Sequence, residues 1–373
     1  VTRAADVVVI GAGAVGLACG AALARAGKRV LVLERGGGIA RETSSRNSGV
    51  IHAGLYYPTG SRKAQLCVEG AERVYARCAR EGIPHRALGK LVVATETAEL
   101  SALGRLHAQG VANGARGLEL VEGADVSRRE PHVRALAALA SPRTGIVDAH
   151  ALCDSYAAEL ARFGGELLLR HEVVALARRA SGWRIAARGP SGEREAAECD
   201  AVVNAAGLGA DRIAALAGID IAAARYRQHP CKGDYFTLAP GAPVRFSRLV
   251  YPLHTGMGLG VHATLDLGGR VRFGPDAEYV ERIDYAVSPG KRDAFAEAVR
   301  RYVPELRAEW LTPDQAGIRP KLAGPGEAFR DFVIAEERAR GLPGLVNLVG
   351  IESPGLTASE AIGERVATLL AAA

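Results

Sequence analysis

The stretch Val7-Val8-Val9-Ile10-Gly11-Ala12-Gly13-Ala14-Val15-Gly16 decides how this chain begins to fold. Val7 to Ile10 is a short, fully apolar run, the pattern of a parallel strand buried on both faces. The glycines follow as G-x-G-x-x-G, and Leu17 to Ala26 continues with helix formers up to Gly27, a natural helix stop. Val30 to Leu33 is a second apolar strand ending at Glu34, which lies 18 positions beyond Gly16. A spacing of about 20 is that of an acid placed to meet a ribose. In such a unit Gly11 permits the tight turn, Gly13 lets a diphosphate approach the backbone, and Gly16 lets helix and strand pack closely. The helix start then offers free N–H groups and the positive end of its dipole. The alternative is a glycine-rich turn that binds nothing; the strand, turn, helix, strand and acid in sequence argue against it.

From Val7 to Ala24 the chain carries no charge, which reaches the length of a membrane span and, with Arg3 in front, imitates a signal peptide. Gly11, Gly13, Gly16 and Gly20 cut the run into strand, turn and helix, so neither reading is adopted, and no other stretch suggests a transmembrane segment. The 373 residues, 48% hydrophobic and 24% charged, predict two domains or three small ones around a sizeable core. The net charge of +6 comes from scattered arginines, with only six lysines, and contains no run of like charge that would point to nucleic acid. A modest positive field favours anionic substrates. Cys19, Cys67, Cys78, Cys153, Cys199 and Cys231 show neither C-x-x-C nor zinc-ligand spacing. They read as reduced, buried thiols, with no metal site and a cytoplasmic location, peripheral contact with the inner membrane face being open.

Further on, Ser61–Arg80 keeps helical spacing, Leu91–Ala94 reads as a strand and Ala98–Gln109 as a helix. Asp148 can cap a helix running to about Phe163, and Ser181-Gly182 marks a hairpin. Ala201–Ala205 is another buried strand. Residues 225–273 are β-rich, with a tight turn at Leu267–Arg270, Ser288–Tyr302 reads as a helix, and Leu356–Leu370 as the last one. The nucleotide-binding pieces fall at the start, middle and end. The expected division is therefore a discontinuous nucleotide-binding domain (1–85, 145–222, 325–373) with a β-rich substrate domain inserted (86–144, 223–324). The expected class is α/β with an α+β second domain.

Asn204-Ala205-Ala206-Gly207 ends a buried strand just before a helix. It resembles the second nucleotide-contacting segment of the glutathione-reductase-like flavoproteins, with Ala206 where their pattern has Thr. Ser44-Ser45-Arg46-Asn47-Ser48-Gly49-Val50-Ile51-His52-Ala53-Gly54-Leu55-Tyr56-Tyr57 resembles the flavin-facing segment of the D-amino-acid-oxidase-like superfamily, closest to its L-2-hydroxyglutarate dehydrogenase family. The resemblance continues through Lys63, Leu66-Cys67, Gly70, Lys232–Tyr235, Gly317–Lys321 and Gly350–Thr357, nearly the whole chain. It implies non-covalently held FAD on a Rossmann-type domain. It also implies oxidation of a small 2-hydroxy acid, L-2-hydroxyglutarate to 2-oxoglutarate, by hydride transfer to flavin N5, with electrons passed to a quinone or another acceptor. Glycine oxidase and glycerol-3-phosphate dehydrogenase share the layout, so an amino-acid or sarcosine-type oxidase stays open, as does a flavin-binding protein without catalysis.

Carried onto this chain, the resemblance places FAD against Gly11, Gly13, Ala14, Val15, Gly16, Glu34, Arg35, Ser44, Ser45, Asn47, Ser48, Gly49, Val50, Val174, Ala205, Ala206, Gly207 and Arg319. Ser353, Pro354, Gly355, Leu356 and Thr357 open the last helix, which either faces the flavin pyrimidine or is simply a capped helix. His52 is either the base for the hydroxyl proton or a ring packed on the flavin. Covalent attachment there is not required by the family. His254 and His262 either face the substrate or are structural. Arg319, with its planar fork, is the expected carboxylate clamp, and Tyr56, Lys232, Tyr251 and Lys321 are further substrate candidates.

Overall fold

The structure is a computed structural model that describes residues 2–253 and 260–372. Among the described residues, the strands form three sheets. The first is built on β1 (Thr2–Ile10), flanked in parallel by β2 (Val30–Glu34) and β12 (Arg194–Asn204). β9 (Glu166–Leu169) extends it beyond β2, and β20 (Leu345–Val349) joins β12 in parallel. The antiparallel strands β10 (Glu172–Arg178), β11 (Trp183–Arg188) and β19 (Val333–Glu336) complete it. Val8 and Val9, at the centre, are fully buried; each such side chain contributes roughly 1.5–3 kcal/mol.

On one face of this sheet lie α1 (Ala14–Arg25), α2 (Arg62–Glu81), α5 (Ala149–Arg162) and α8 (Gly355–Ala371). Ser61 caps α2 by accepting from Ala64 N–H, and Asp148 caps α5 by accepting from His150 and Ala151 N–H. α2 and α8 approach until a Cβ on Gly70 would stand 2.3 Å from Thr357 O. Arg77, buried on α2, pairs with Glu159 of α5 and with Glu360 of α8 at 2.9 Å, while Arg25 of α1 reaches Glu159 and Glu364. One ionic network thus ties four helices together.

The second sheet runs β17 (Glu278–Tyr279), β13 (His229–Leu238), β16 (Val271–Phe273), β15 (Ala263–Leu265), β14 (Leu249–Pro252), β5 (Lys90–Ala94), β7 (Ala137–Ser141), β6 (Glu119–Glu122). β18 (Leu311–Lys321) pairs with β13. The shorter helices α3 (Leu100–Ala112), α4 (Gly123–Arg129) and α7 (Arg292–Arg300) pack here, whereas α6 (Ala210–Leu216) follows β12. β3 (Val50–Ile51), β8 (Gly145–Val147) and β4 (His85–Arg86) form a small third sheet. The helix expected over 288–302 is divided: Pro289–Lys291 is a 3₁₀ turn, and only Arg292–Arg300 is α-helical. No helix among the described residues is long and apolar enough to cross a membrane; the uncharged run is β1, turn and α1.

Candidate active site

The turn between β1 and α1 admits only glycine at its ends. Gly11 has φ +105°, and a Cβ on Gly16 would stand 2.0 Å from Gly11 O. Gly13 begins α1 with no side-chain cap, and a Cβ there would come 2.9 Å from Ser44 Oγ, which accepts from Ala14 N–H at 2.9 Å. The Glu34 carboxylate lies against the same turn, accepting from Ala12 N–H at 2.8 Å and Gly36 N–H at 2.6 Å. Asn47 folds the facing loop: its Nδ2 donates to Ser44 O at 2.7 Å, and its Oδ1 accepts from Gly49 N–H at 2.8 Å. A helix start met by Ser44 only at Ala14 N–H, under a glycine cradle and with an acid at the second strand's end, fits a dinucleotide carrying a diphosphate. Gly13, Ala14, Val15, Ser44, Asn47, Ser48, Val50, Ala205 and Gly207 line one end of a cavity of about 940 Å³, the volume of a cofactor site.

The other end lies between the two large sheets. Thr357, at the start of α8, accepts from His52 N–H at 3.1 Å and donates to Val50 O at 3.2 Å, so the strand and the helix hold His52 jointly. His52 Nε2 is 3.4 Å from Ser353 Oγ, which is 3.3 Å from Tyr57 Oη. Burial first, and then nearby Lys90, push the His52 pKa down to about 3, so the imidazole is neutral. Across the cavity, β13 and β18 pair Cys231 with Arg319. The Arg319 guanidinium donates to Asp276 O at 3.2 Å and meets Cys231 Sγ at 3.7 Å, with no carboxylate partner among the described residues. Tyr56, Tyr251 and His262 form a ladder: Tyr251 stacks on His262 at 3.8 Å and on Tyr56 at 6.5 Å. The Tyr56 and Tyr251 hydroxyls are buried without hydrogen-bond partners among the described residues.

His52, Tyr56, Tyr251, His262, Arg319 and Lys321 are thus brought to one cavity, with Ser353–Thr357 beside them. Lys321 is committed to Glu352 at 3.1 Å, and Lys63 holds the same carboxylate at 2.9 Å. Lys232 is placed elsewhere: its ammonium donates to Ala286 O and faces Asp234 at 3.6 Å, so a direct substrate contact is not what this geometry provides. Arg35 does not line the cavity and pairs with Glu42 at 2.5 Å. Ser45 donates to Glu42 O at 3.1 Å. Val174 falls at the register break of β10 and has no partner on β11, which leaves its backbone groups outside the ladder. His254 lies outside the described residues. Sequence reasoning missed Tyr235 and Glu352 on the cavity wall, and Lys90 just behind it.

A cradle for a diphosphate joined to a pocket holding a guanidinium with no carboxylate partner among the described residues fits a dinucleotide-dependent enzyme acting on an anionic substrate. The chain belongs to the DAO family, FAD dependent oxidoreductase, whose profile matches residues 6–369, and its cofactor is FAD. It is 40% identical to the mitochondrial L-2-hydroxyglutarate dehydrogenase of Arabidopsis thaliana over 97% of this chain and 82% of that protein. It is 31% identical to the Bos taurus mitochondrial L-2-hydroxyglutarate dehydrogenase over 98% of this chain and 88% of that one. Among solved structures, the FAD-bound L-alpha-glycerophosphate oxidase of Mycoplasma pneumoniae superposes with a TM-score of 0.86 at 24% identity, covering 99% of this chain and 95% of that one. Glycine oxidase of Geobacillus kaustophilus gives 0.81 at 23%, with coverage of 99% and 95%. At that identity the two structures establish the fold alone.

Proposed function

We propose that this chain oxidises L-2-hydroxyglutarate to 2-oxoglutarate. The observation that carries the reading is the unpaired Arg319 guanidinium facing the cavity that also holds a neutral His52. The near-full-length similarity to L-2-hydroxyglutarate dehydrogenases supports the choice of substrate. When bound, FAD supplies the two-electron acceptor. Gly11–Gly16, Glu34, Ser44 and Ala205–Gly207 would hold its nucleotide end without a covalent link, and the residues at the start of α8 would lie toward its ring. Arg319 clamps the C1 carboxylate with its fork. His52 takes the hydroxyl proton at Nδ1, the ring nitrogen with no partner among the described residues, in the tautomer whose proton sits on Nε2, 3.4 Å from Ser353 Oγ. The substrate's negative charge opposes the burial and the Lys90 field that depress the imidazole. Electrons leave to a quinone or another acceptor.

The domain division at 85/86, 144/145, 222/223 and 324/325 belongs to the same reading, supported by the separate strand membership of the two large sheets. The six cysteines, all free and buried, support a reducing compartment, with a cytoplasmic or membrane-peripheral location.

The test is anaerobic titration of the purified yellow protein. L-2-hydroxyglutarate should bleach the oxidised-flavin absorbance, and Arg319→Met should raise the concentration required. A charge-assisted pair of about 1.5–3 kcal/mol corresponds to a factor of roughly 10 to 150. Bleaching by glycine, sarcosine or glycerol 3-phosphate, with none by L-2-hydroxyglutarate, overturns the proposal.

A further inference from the structure

Lys90 begins β5, between β7 and β14 in the interior of the second sheet, and is 2% exposed. A buried ammonium is costly unless an anion or several acceptors compensate it. The other interior cations have such partners: Lys63 has Glu352, Lys232 has Asp234, and Arg77 has Glu159 and Glu360. Lys90 has no carboxylate and no hydrogen-bond acceptor among the described residues. Its Nζ lies 4.6 Å from the Tyr56 ring centre and 4.6 Å from that of Tyr251.

The titratable groups around it are Cys67 on α2, His52 and Tyr56 after β3, Tyr251 on β14 and His262 before β15. Burial keeps each of them neutral: the thiol and phenol pKa values are raised and those of the imidazoles lowered. Lys90 is thus an ammonium whose counter-charge the surrounding side chains do not supply; the same burial pushes its own pKa down to about 7, and an anion bound nearby would restore the full positive charge. The hydroxyls of the two tyrosines between it and the cavity are protonated, buried donors with no acceptor among the described residues. Two free O–H donors backed by a cation form a receptor for a carboxylate. An apolar chain end would leave all three uncompensated.

We propose that Lys90 is the specificity-determining cation for the substrate's distal carboxylate, which the Tyr56 and Tyr251 hydroxyls receive directly. This rests on the L-2-hydroxyglutarate reading and deepens it: Arg319 holds the carboxylate next to the reacting carbon, and the tyrosine pair backed by Lys90 holds the other. Lys90 acts through the tyrosines, as a positioning residue.

The experiment compares L-2-hydroxyglutarate with L-2-hydroxyvalerate, which has the same five-carbon chain but a methyl in place of the distal carboxylate. Anaerobic flavin reduction is followed in the wild type, K90M, Y56F and Y251F. In K90M the ratio of kcat/KM for the dicarboxylate over the monocarboxylate should fall about thirtyfold, the effect of one charge acting over roughly 8 Å at an effective dielectric of about 20. The fall should appear mainly in KM, with Y56F and Y251F shifting the ratio in the same direction. An unchanged ratio in K90M that still carries FAD overturns the proposal. If K90M is recovered without FAD, the two tyrosine variants decide by the same ratio. A wild type that L-2-hydroxyglutarate does not bleach overturns the functional reading itself; a wild type that it bleaches, with a K90M as selective as the wild type, overturns only the role of Lys90.

Discussion

His52 and His262 both have pKa values pushed down to about 3, with burial the leading cause in each. The unfolded chain binds protons at these rings below about pH 6.5, while the folded chain does not until about 3. Stability should therefore decline as pH falls from 6.5 toward 3. Urea unfolding followed across that window should show the midpoint drop, and H262F should flatten the slope. At Gly13 a side chain has no room beside Ser44 Oγ, so Gly13→Val should yield protein without yellow colour, read as a lower flavin-to-protein absorbance ratio. The glycines were legible because their spacing reports backbone geometry directly. Lys90 was not, since the strand was read from Leu91 onward and its leading lysine was left outside. A signal was available. In a chain that uses arginine almost throughout, five of the six lysines are buried or half-buried, and only Lys28 lies on the exposed surface.

Among the elements, α2 carries the clearest energetic prediction. Arg77 is 1% exposed and also stacks over the Tyr156 ring at 4.4 Å. Arg77→Leu leaves Glu360 without this partner and Glu159 with Arg25 alone, so a loss of about 3–5 kcal/mol is expected in denaturant unfolding. The helix itself was readable from its apolar spacing and the Ser61 cap, and β1, β2 and α1 from the opening run. β18 was legible only in Gly317–Lys321, through the family resemblance; Pro313 and Pro320 within it work against reading a strand from local pattern. The structure supplies the reason it forms: among the described residues β18 pairs only with β13, and an edge strand tolerates residues without N–H donors. β6, α4 and β7 escaped for a different reason. They are short, and their pairing with one another and with β5 is set by tertiary contacts rather than by local periodicity.

For the molecule as a whole, the nucleotide-binding pieces read from the sequence fall at its start, middle and end, and the proposed insertion rests on that distribution. The nine-strand order, which returns from β14 to β5, was not recoverable, because it joins segments about 160 residues apart. The two large sheets meet where loop 43–49 crosses β18. Thr43 Oγ1 donates to Ile318 O at 3.2 Å, Gln315 Nε2 donates to Asn47 O at 3.1 Å, and a Cβ on Gly317 would stand 2.0 Å from Arg46 O. Gly317→Val should push the sheets apart there and lower both flavin retention and the unfolding temperature, measured by absorbance and calorimetry. The same crossing gives the enzyme a tether: the strand that bears Arg319, the proposed carboxylate clamp, also presses, two residues earlier, on the loop proposed to hold the nucleotide. A guest that stiffens one end of that strand should slow escape of the tenant at the other, and by reciprocity a firmly lodged nucleotide should tighten the guest's hold.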